Sequence, residues 1–378
     1  MKITLLQENL YKGLQAVSRL TSTGGNLPIL SHVLLRAKKG GVYIKATNME
    51  QSVQLKVGAK VEKEGEVAIP AKTFNEFVGS LPAGKVMIEV KGEEIKLSSG
   101  ATKAKLQGTG AADFPEMNTK VDKVLFKYKG DWEKEIGKIV FSASTEESRP
   151  ALTGVQVSRV GKKLRMVTTD GYRLSIMFLK ADFGKGKEEK WTELIPAKAV
   201  AEFGFFKKSF DGDEEVEVGI AEGGNQLVFR SGEMVMVTRL IEGEFPPFED
   251  TIPKEVETKV VFGYEELLSS VRRAAIFARE SANIIRWEVG ESNVVISANS
   301  PQVGENETVV EAEVKGEGGK VAFNSRYLMD FFTAVDLSKT EKKEIEFEMS
   351  GGLSPGQFKI KGEEGFSHII MPVRIQDK

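Results

Sequence analysis

The chain has no cysteine and only two histidines, His32 and His368, in 378 residues. The missing thiols exclude disulfides, thiol catalysis and cysteine-based metal sites. Two histidines are too few for a histidine zinc site, and a Ser-His-Asp triad would have to use one of them. No apolar run approaches the about 18 residues that a membrane-spanning helix needs, and the opening MKITLLQENLYKGL lacks the long apolar core and small-residue cleavage site of a secretory leader. The chain therefore reads as cytoplasmic, and the sequon at Asn306 carries no weight. Large excess charge is missing too. Lys plus Arg number 53 against 55 Asp plus Glu, a formal charge of −2. A protein that grips nucleic acid by its phosphates needs a positive excess, so any contact with DNA has to be weak and local. No GxxxxGK[ST] phosphate loop occurs. GEGGK (316–320) lies between two strand-like runs and reads as a hairpin turn.

What is present is repetition. AIPAKTFNEFVGSL (68–81), LIPAKAVAEFGFF (194–206) and AFNSRYLMDFFTAV (322–335) each join an apolar lead, a cap, a basic residue and an amphipathic helix. Lys72, Lys198 and Arg326 correspond, at separations of 126 and 128 residues, and one third of the chain is 126. Leu10/Leu14/Val17, Trp132/Ile136/Ile139 and Leu267/Val271/Ala274 each mark one apolar helix face near the start of a third. Asn48, Asp170 and Asn299 align at a polar turn after a β-rich run. Each third closes on alternating segments, such as MIEVKGEEIKLSSG, that read as antiparallel hairpins with one solvated face. The chain is thus expected to hold three similar α+β domains. Boundaries fall in the Gly/Pro/acid-rich stretches 108–122 and 242–255, which share Phe114-Pro115 and Phe245-Pro246.

Catalytic candidates are sparse. Asp211 and Asp213 flank a glycine between a helix and a strand, where such residues make turns. They lack calcium-loop spacing. His32 reads as a strand residue and His368 as lying on a strand edge, neither with a visible partner. The run Ile369–Ile375 is apolar yet close to the end. It reads as a last strand, part of an exposed site, or both. TDGYRL (169–174) packs an acid, a glycine, a phenol and a guanidinium into six residues, and can be read as a catalytic cluster or as a turn that lines a groove.

TDGYRL, IPAK, ADFP, GEFP and MPVRI, with the opening ENLYKGLQAVSRL and LPILSHVLL, together resemble the bacterial sliding clamps, the beta subunits of DNA polymerase III. The resemblance runs the whole length. It implies an α+β fold of three repeated clamp domains, 1–119, 120–251 and 252–378, with helices lining a ring interior and antiparallel sheets outside. It implies a non-catalytic processivity factor without cofactor or metal. Its partners would be encircled duplex DNA, a second copy head-to-tail, a clamp-loader ATPase, and the polymerase III catalytic subunit with other polymerases or repair factors. These last would dock through QLxLF-type peptides, and the protein would sit on the nucleoid. By matching position the peptide pocket is Leu152, Thr169, Gly171, Tyr172, Arg173, Leu174, Pro246, Asn324, Tyr327, Ile369, Ile370, Met371, Pro372, Val373 and Arg374. Asp170 then reads as a turn former. DNA-facing cations are Arg19, Lys72, Lys134, Lys138, Lys198, Arg272 and Arg273, although Glu76, Glu133 and Glu202 share those helices. The ring contact is Leu106 against Ile276 and Phe277. Departures from the family stand at Tyr172, Ala151 and Asp250, often His, aromatic and basic. Gln376–Lys378 runs past the usual end. The repeats alone also admit a monomeric β-rich binding protein, and the acids a hydrolase using Asp170 or the Asp211/Asp213 pair.

Overall fold

The structure, a computed structural model, describes residues 1–21, 27–184, 190–210, 214–340 and 343–374. Asp211, Asp213 and Gln376–Lys378 lie outside the described residues. Helices α1 (Gln7–Val17), α2 (Ala71–Ser80), α3 (Trp132–Val140), α4 (Ala197–Phe210), α5 (Tyr264–Ala278) and α6 (Ser325–Val335) stand where the repeat pattern puts them. The apolar sets of α1, α3 and α5 are all buried. Proline closes the strand before α2 and before α4, and its fixed φ sets the entry to the helix. Before α6 the cap is Asn324, whose Oδ1 accepts the Arg326 N–H at 2.9 Å.

Among the described residues the strands form four antiparallel sheets. A five-stranded sheet ends at strand Thr102–Gln107, and a four-stranded sheet ends at Gly304–Glu311. An eight-stranded sheet joins Val121–Tyr128 and three strands of 216–239 to four strands of 32–70. Its seam pairs Met236 with Val53. A nine-stranded sheet joins four strands of 154–196 to five strands of 258–370, and its seam pairs Leu174 with Ile369. The two large sheets thus run across the repeat boundaries.

The chain accordingly separates into two compact units. One holds Met1–Glu133, Ala181–Gly186 and Ala199–Leu240; the other holds Lys134–Lys180, Lys187–Lys198 and Ile241–Lys378. In the first, Trp132 packs edge-on against Phe203 at 6.0 Å, and Phe114 is buried against Leu34 and Ala68. In the second, Phe262, Phe323, Phe347 and Phe358 ring Trp287 at 5.2–6.0 Å. Phe248 sits in a buried cluster with Val167, Leu174, Ile176 and Ile369. Both Phe-Pro stretches are therefore pinned to a sheet by an aromatic ring.

Three expectations need correction. GEGGK is a crossover, not a hairpin: Glu313–Lys315 before it pairs in the nine-stranded sheet and Gly319–Asn324 after it pairs in the four-stranded one. Gly318 is required there, because at φ +76° a Cβ would stand 2.2 Å from the Val289 carbonyl oxygen. Asn299 is still on its strand, and the turn starts one residue later, where Ser300 Oγ accepts the Gln302 N–H at 3.3 Å. Asn48 does this job in the first third and Asp170 in the second. His368 is not on an edge. Its strand Phe366–Ile370 is flanked on both sides and the ring is fully buried. His32 does open the strand His32–Lys38.

Candidate functional site

The TDGYRL segment turns the chain between strands Lys163–Thr169 and Arg173–Lys180. Asp170 Oδ1 accepts the N–H groups of Tyr172 and Arg173 at 2.9 and 3.0 Å. Thr169 Oγ1 accepts the Gly171 N–H at 3.0 Å and donates to the Arg173 carbonyl. Gly171 sits at φ +91°, where a side chain would be strained. Asp170 is thus a turn former with its oxygens occupied, not an acid poised for chemistry.

Arg173 ties this turn to its surroundings. Its Nε donates to Asp170 Oδ2 at 3.0 Å, Nη1 to Asp330 Oδ2 at 2.7 Å, and Nη2 to the Phe141 carbonyl at 3.0 Å. The guanidinium lies over the rings of Tyr327 and Phe141, at 4.7 and 5.3 Å. Tyr172, 62% exposed, stacks on Tyr327 at 6.3 Å. Burial raises the Tyr327 phenol above its usual range, reinforced by the nearby Asp170 carboxylate.

Beside this turn lies a cleft of about 220 Å³. Of the fifteen expected residues, Thr169, Gly171, Tyr172, Arg173, Leu174, Pro246, Ile369 and Met371 line it. Met371 is held by its N–H to the Tyr172 carbonyl at 2.9 Å. Pro247, Phe248 and Thr251 also line it and were not anticipated. The signal for them was the PPF run, rigid and aromatic, read only as a boundary. The other expected residues do not line it. Leu152 is buried, and its carbonyl accepts the Ser144 N–H at 2.9 Å. Ile370 is fully buried and alternates to the opposite face from Ile369. Asn324 is spent on the α6 cap, and Tyr327 joins only through its stack on Tyr172. Val373 donates its N–H to the Ala322 carbonyl at 2.8 Å, and neither it nor Pro372 nor Arg374 lines the cleft. Ala151 and Asp250 stay outside, and Asp250 pairs with Lys254 at 2.9 Å.

Under the cleft runs a buried polar chain. His368 Nδ1 meets Ser175 Oγ at 2.8 Å, Ser142 Oγ donates to Ser175 Oγ at 2.8 Å, and Thr168 Oγ1 lies 2.6 Å from Ser142 Oγ. So His368 has a partner that the sequence did not reveal. Burial, and secondarily Arg173, holds the His368 pKa well below the usual value. The unfolded chain takes up this proton near pH 6.5 while the folded chain does not. Stability from this group is therefore complete above pH 6.5 and falls below it, by up to about 1.4 kcal/mol per pH unit until the folded group titrates. Urea unfolding between pH 7.5 and 5 should show that slope, and His368→Asn should flatten it. An unchanged slope in the variant would remove His368 as its source.

The expected DNA-facing cations divide. Lys72, Lys134, Lys198, Arg272 and Arg273 are exposed, as expected of a solvated helix face. Arg19 is exposed but paired with Glu202 at 3.0 Å and stacked over Phe205 at 4.1 Å. Lys138 is a correction. It is 2% exposed, bonded to Glu135 at 3.1 Å and to Glu363, and faces inward. A lysine one turn past Lys134 shares its side of the helix. Distant residues decide that it is covered: Glu363 bonds to it, and Val335, Leu337 and Ile360 line the same hollow. Leu106 is half-buried on the outermost strand Thr102–Gln107. Ile276 is 57% exposed on α5, and Phe277 is half-buried.

Among the described residues no group of three His, Cys, Asp or Glu could hold a metal ion, and no helix is long and apolar enough to cross a membrane. Family models for the DNA polymerase III beta subunit match the chain in three pieces. The N-terminal domain matches 1–118, the central domain 129–247 and the C-terminal domain 249–374. The beta sliding clamp of Synechocystis is 26% identical over 396 residues, covering 99% of this chain and all of the relative. That of Staphylococcus aureus is 28% identical over 387 residues, covering 99% of each. The Bacillus subtilis DNA polymerase sliding clamp superposes with a TM-score of 0.90 at 26% identity over all of both chains. A Pseudomonas aeruginosa clamp solved bound to griselimycin gives 0.90 at 25% identity, over 99% of this chain and all of the other. The chain belongs to the DNA polymerase III beta subunit family, and is a DNA sliding clamp, a non-catalytic processivity factor of replication.

Proposed function

We propose that the cleft beside TDGYRL is where this clamp holds the replicative polymerase and competing partners, each by a short QLxLF-type peptide. The observation that carries the reading is the shape and chemistry of the cleft. Leu174, Phe248, Ile369, Met371 and two prolines make an apolar floor, and the exposed Tyr172 phenol in its wall can orient a ligand. A related clamp binds griselimycin, which supports a ligand site in this family. Peptide binding supplies the tether, and topology supplies the grip on DNA. Two copies would close head-to-tail around the duplex, with Arg19, Lys72, Lys134, Lys198, Arg272 and Arg273 giving weak, sequence-blind contacts that permit sliding. Leu106, Ile276 and Phe277 would form the closing contact. Each copy would comprise domains 1–119, 120–251 and 252–378. A loader ATPase would open the ring, and the assembly would work on the nucleoid in the cytoplasm.

The test is fluorescence polarisation of a labelled QLxLF-type peptide against the parent, a Tyr172→Ala variant, and a chain ending at Ile370. The cut belongs after Ile370, because Ile369 and Ile370 are fully buried in a strand paired on both sides. Saturable binding to the parent, weakened about tenfold or more by the truncation, is expected. A folded parent that shows no saturable binding would overturn the assignment.

A further inference from the structure

Phe245 sits at a junction. It packs on the cluster of Val167, Leu174, Phe248 and Ile369 beneath the apolar cleft. It also lines a second cleft, of about 440 Å³, with Gln156, Thr192, Glu193, Gly243 and Glu244 among its walls. The residues of both clefts lie on one face of the same sheet, because Gln156 pairs with Val167, Val167 with Ile176, and Leu174, two residues before Ile176, with Ile369.

Their charges differ from what an acidic partner needs. Among the described residues the one cation lining the first cleft is Arg173, and Asp170, Asp330 and the Phe141 carbonyl already occupy its three nitrogens. The second cleft carries the Glu193 and Glu244 carboxylates and a buried acceptor, Gln156 Oε1, that has no hydrogen-bond partner among the described residues. A buried acceptor beside carboxylates is satisfied by a donor, best a cationic one. The segment from Glu242 to Asp250 holds four carboxylates and no cation. Arg165 engages Glu249 and Lys254 engages Asp250, while Glu242 and Glu244 have no ion-pair partner among the described residues. Arg374, three residues beyond Met371, is exposed and lines neither cleft.

We infer that this clamp selects peptides whose apolar anchor carries a basic residue on one flank, and that the flank seats in the Gln156–Glu244 cleft. The inference rests on the apolar cleft being the partner site, and adds the chemistry of the partner. Three acetylated, amidated peptides with one QLxLF-type core test it. One is neutral, one has two lysines before the core, and one has two after. One lysine-flanked peptide should bind about fivefold more tightly than the neutral one at low salt. That gain should vanish at high salt, and in Glu244→Gln combined with Gln156→Met. Gain from neither peptide, equal gain from both, or a gain that survives the double variant would overturn the inference. Failure of the neutral peptide to bind the folded parent would instead overturn the cleft assignment itself. Equal affinity of the neutral peptide for parent and variant shows that the variant has kept its fold.

Discussion

An Ile276→Asp variant is expected to sediment as a monomer at micromolar concentrations at which the parent sediments as a dimer. Ile276 leaves 57% of its surface exposed on α5, beside half-buried Phe277. The two small sheets each end in an outermost strand, Thr102–Gln107 and Gly304–Glu311, whose outer backbone groups need a partner. The first carries Lys103 and Lys105, and the second Glu305, Glu307 and Glu311 with Val309 56% exposed. Unlike, complementary patches on one chain produce a head-to-tail contact, and two such contacts close a ring. A carboxylate buried at such a contact costs about 3 kcal/mol, or more than a hundredfold in association. The side chain is exposed in the single chain, so its thermal stability should move by no more than about 0.5 kcal/mol. Leu106→Asp should act alike from the other patch. A variant that remains dimeric would remove Ile276 from the contact.

Arg173→Ala is expected to unsettle fold and cleft together. The guanidinium is 9% exposed, with one donor on each of three acceptors. Its loss leaves Asp170 Oδ2 and the Phe141 carbonyl without their donors and removes a cation between two rings. Asp330 is half-exposed and regains water, so its share is small. The sum is about 2–3 kcal/mol in urea unfolding. Peptide affinity should fall more than tenfold, because the Asp170 turn and the Tyr172–Tyr327 stack both lean on this group. Lysine should not rescue it, since an ammonium cannot present a planar fork to three acceptors. Asp330→Asn, which keeps an acceptor at that position, should be mild in both assays. If Arg173→Ala folds and binds peptide like the parent, Arg173 does not shape the cleft.

The single chain determined its helices, its repeat and most of its turns, because these depend on neighbours a few residues away. A 3.6-residue apolar period buries one helix face whatever lies opposite, and Asn48 and Asp170 bond to backbone only two residues on. Thr169, Gly171, Tyr172, Arg173 and Leu174 were legible because they are one turn, and their place in a pocket came from resemblance to known clamps. Tertiary structure decided the rest. Strand pairing is non-local, so nothing in the repeats announced that Met236 would meet Val53 or Leu174 meet Ile369 in sheets that cross the repeat boundaries. GEGGK has turn composition in either case, and only the partners of its flanking strands make it a crossover. Lys138 sits on its helix like a solvated lysine, and Glu363, 225 residues away, bonds to it in a buried position. Ile369 and Ile370 are chemically alike, and the pleat sends one to the cleft and the other to the core. Local periodicity survives translation into three dimensions. Burial of a charge and the wall of a groove are set by residues that sequence order keeps far apart.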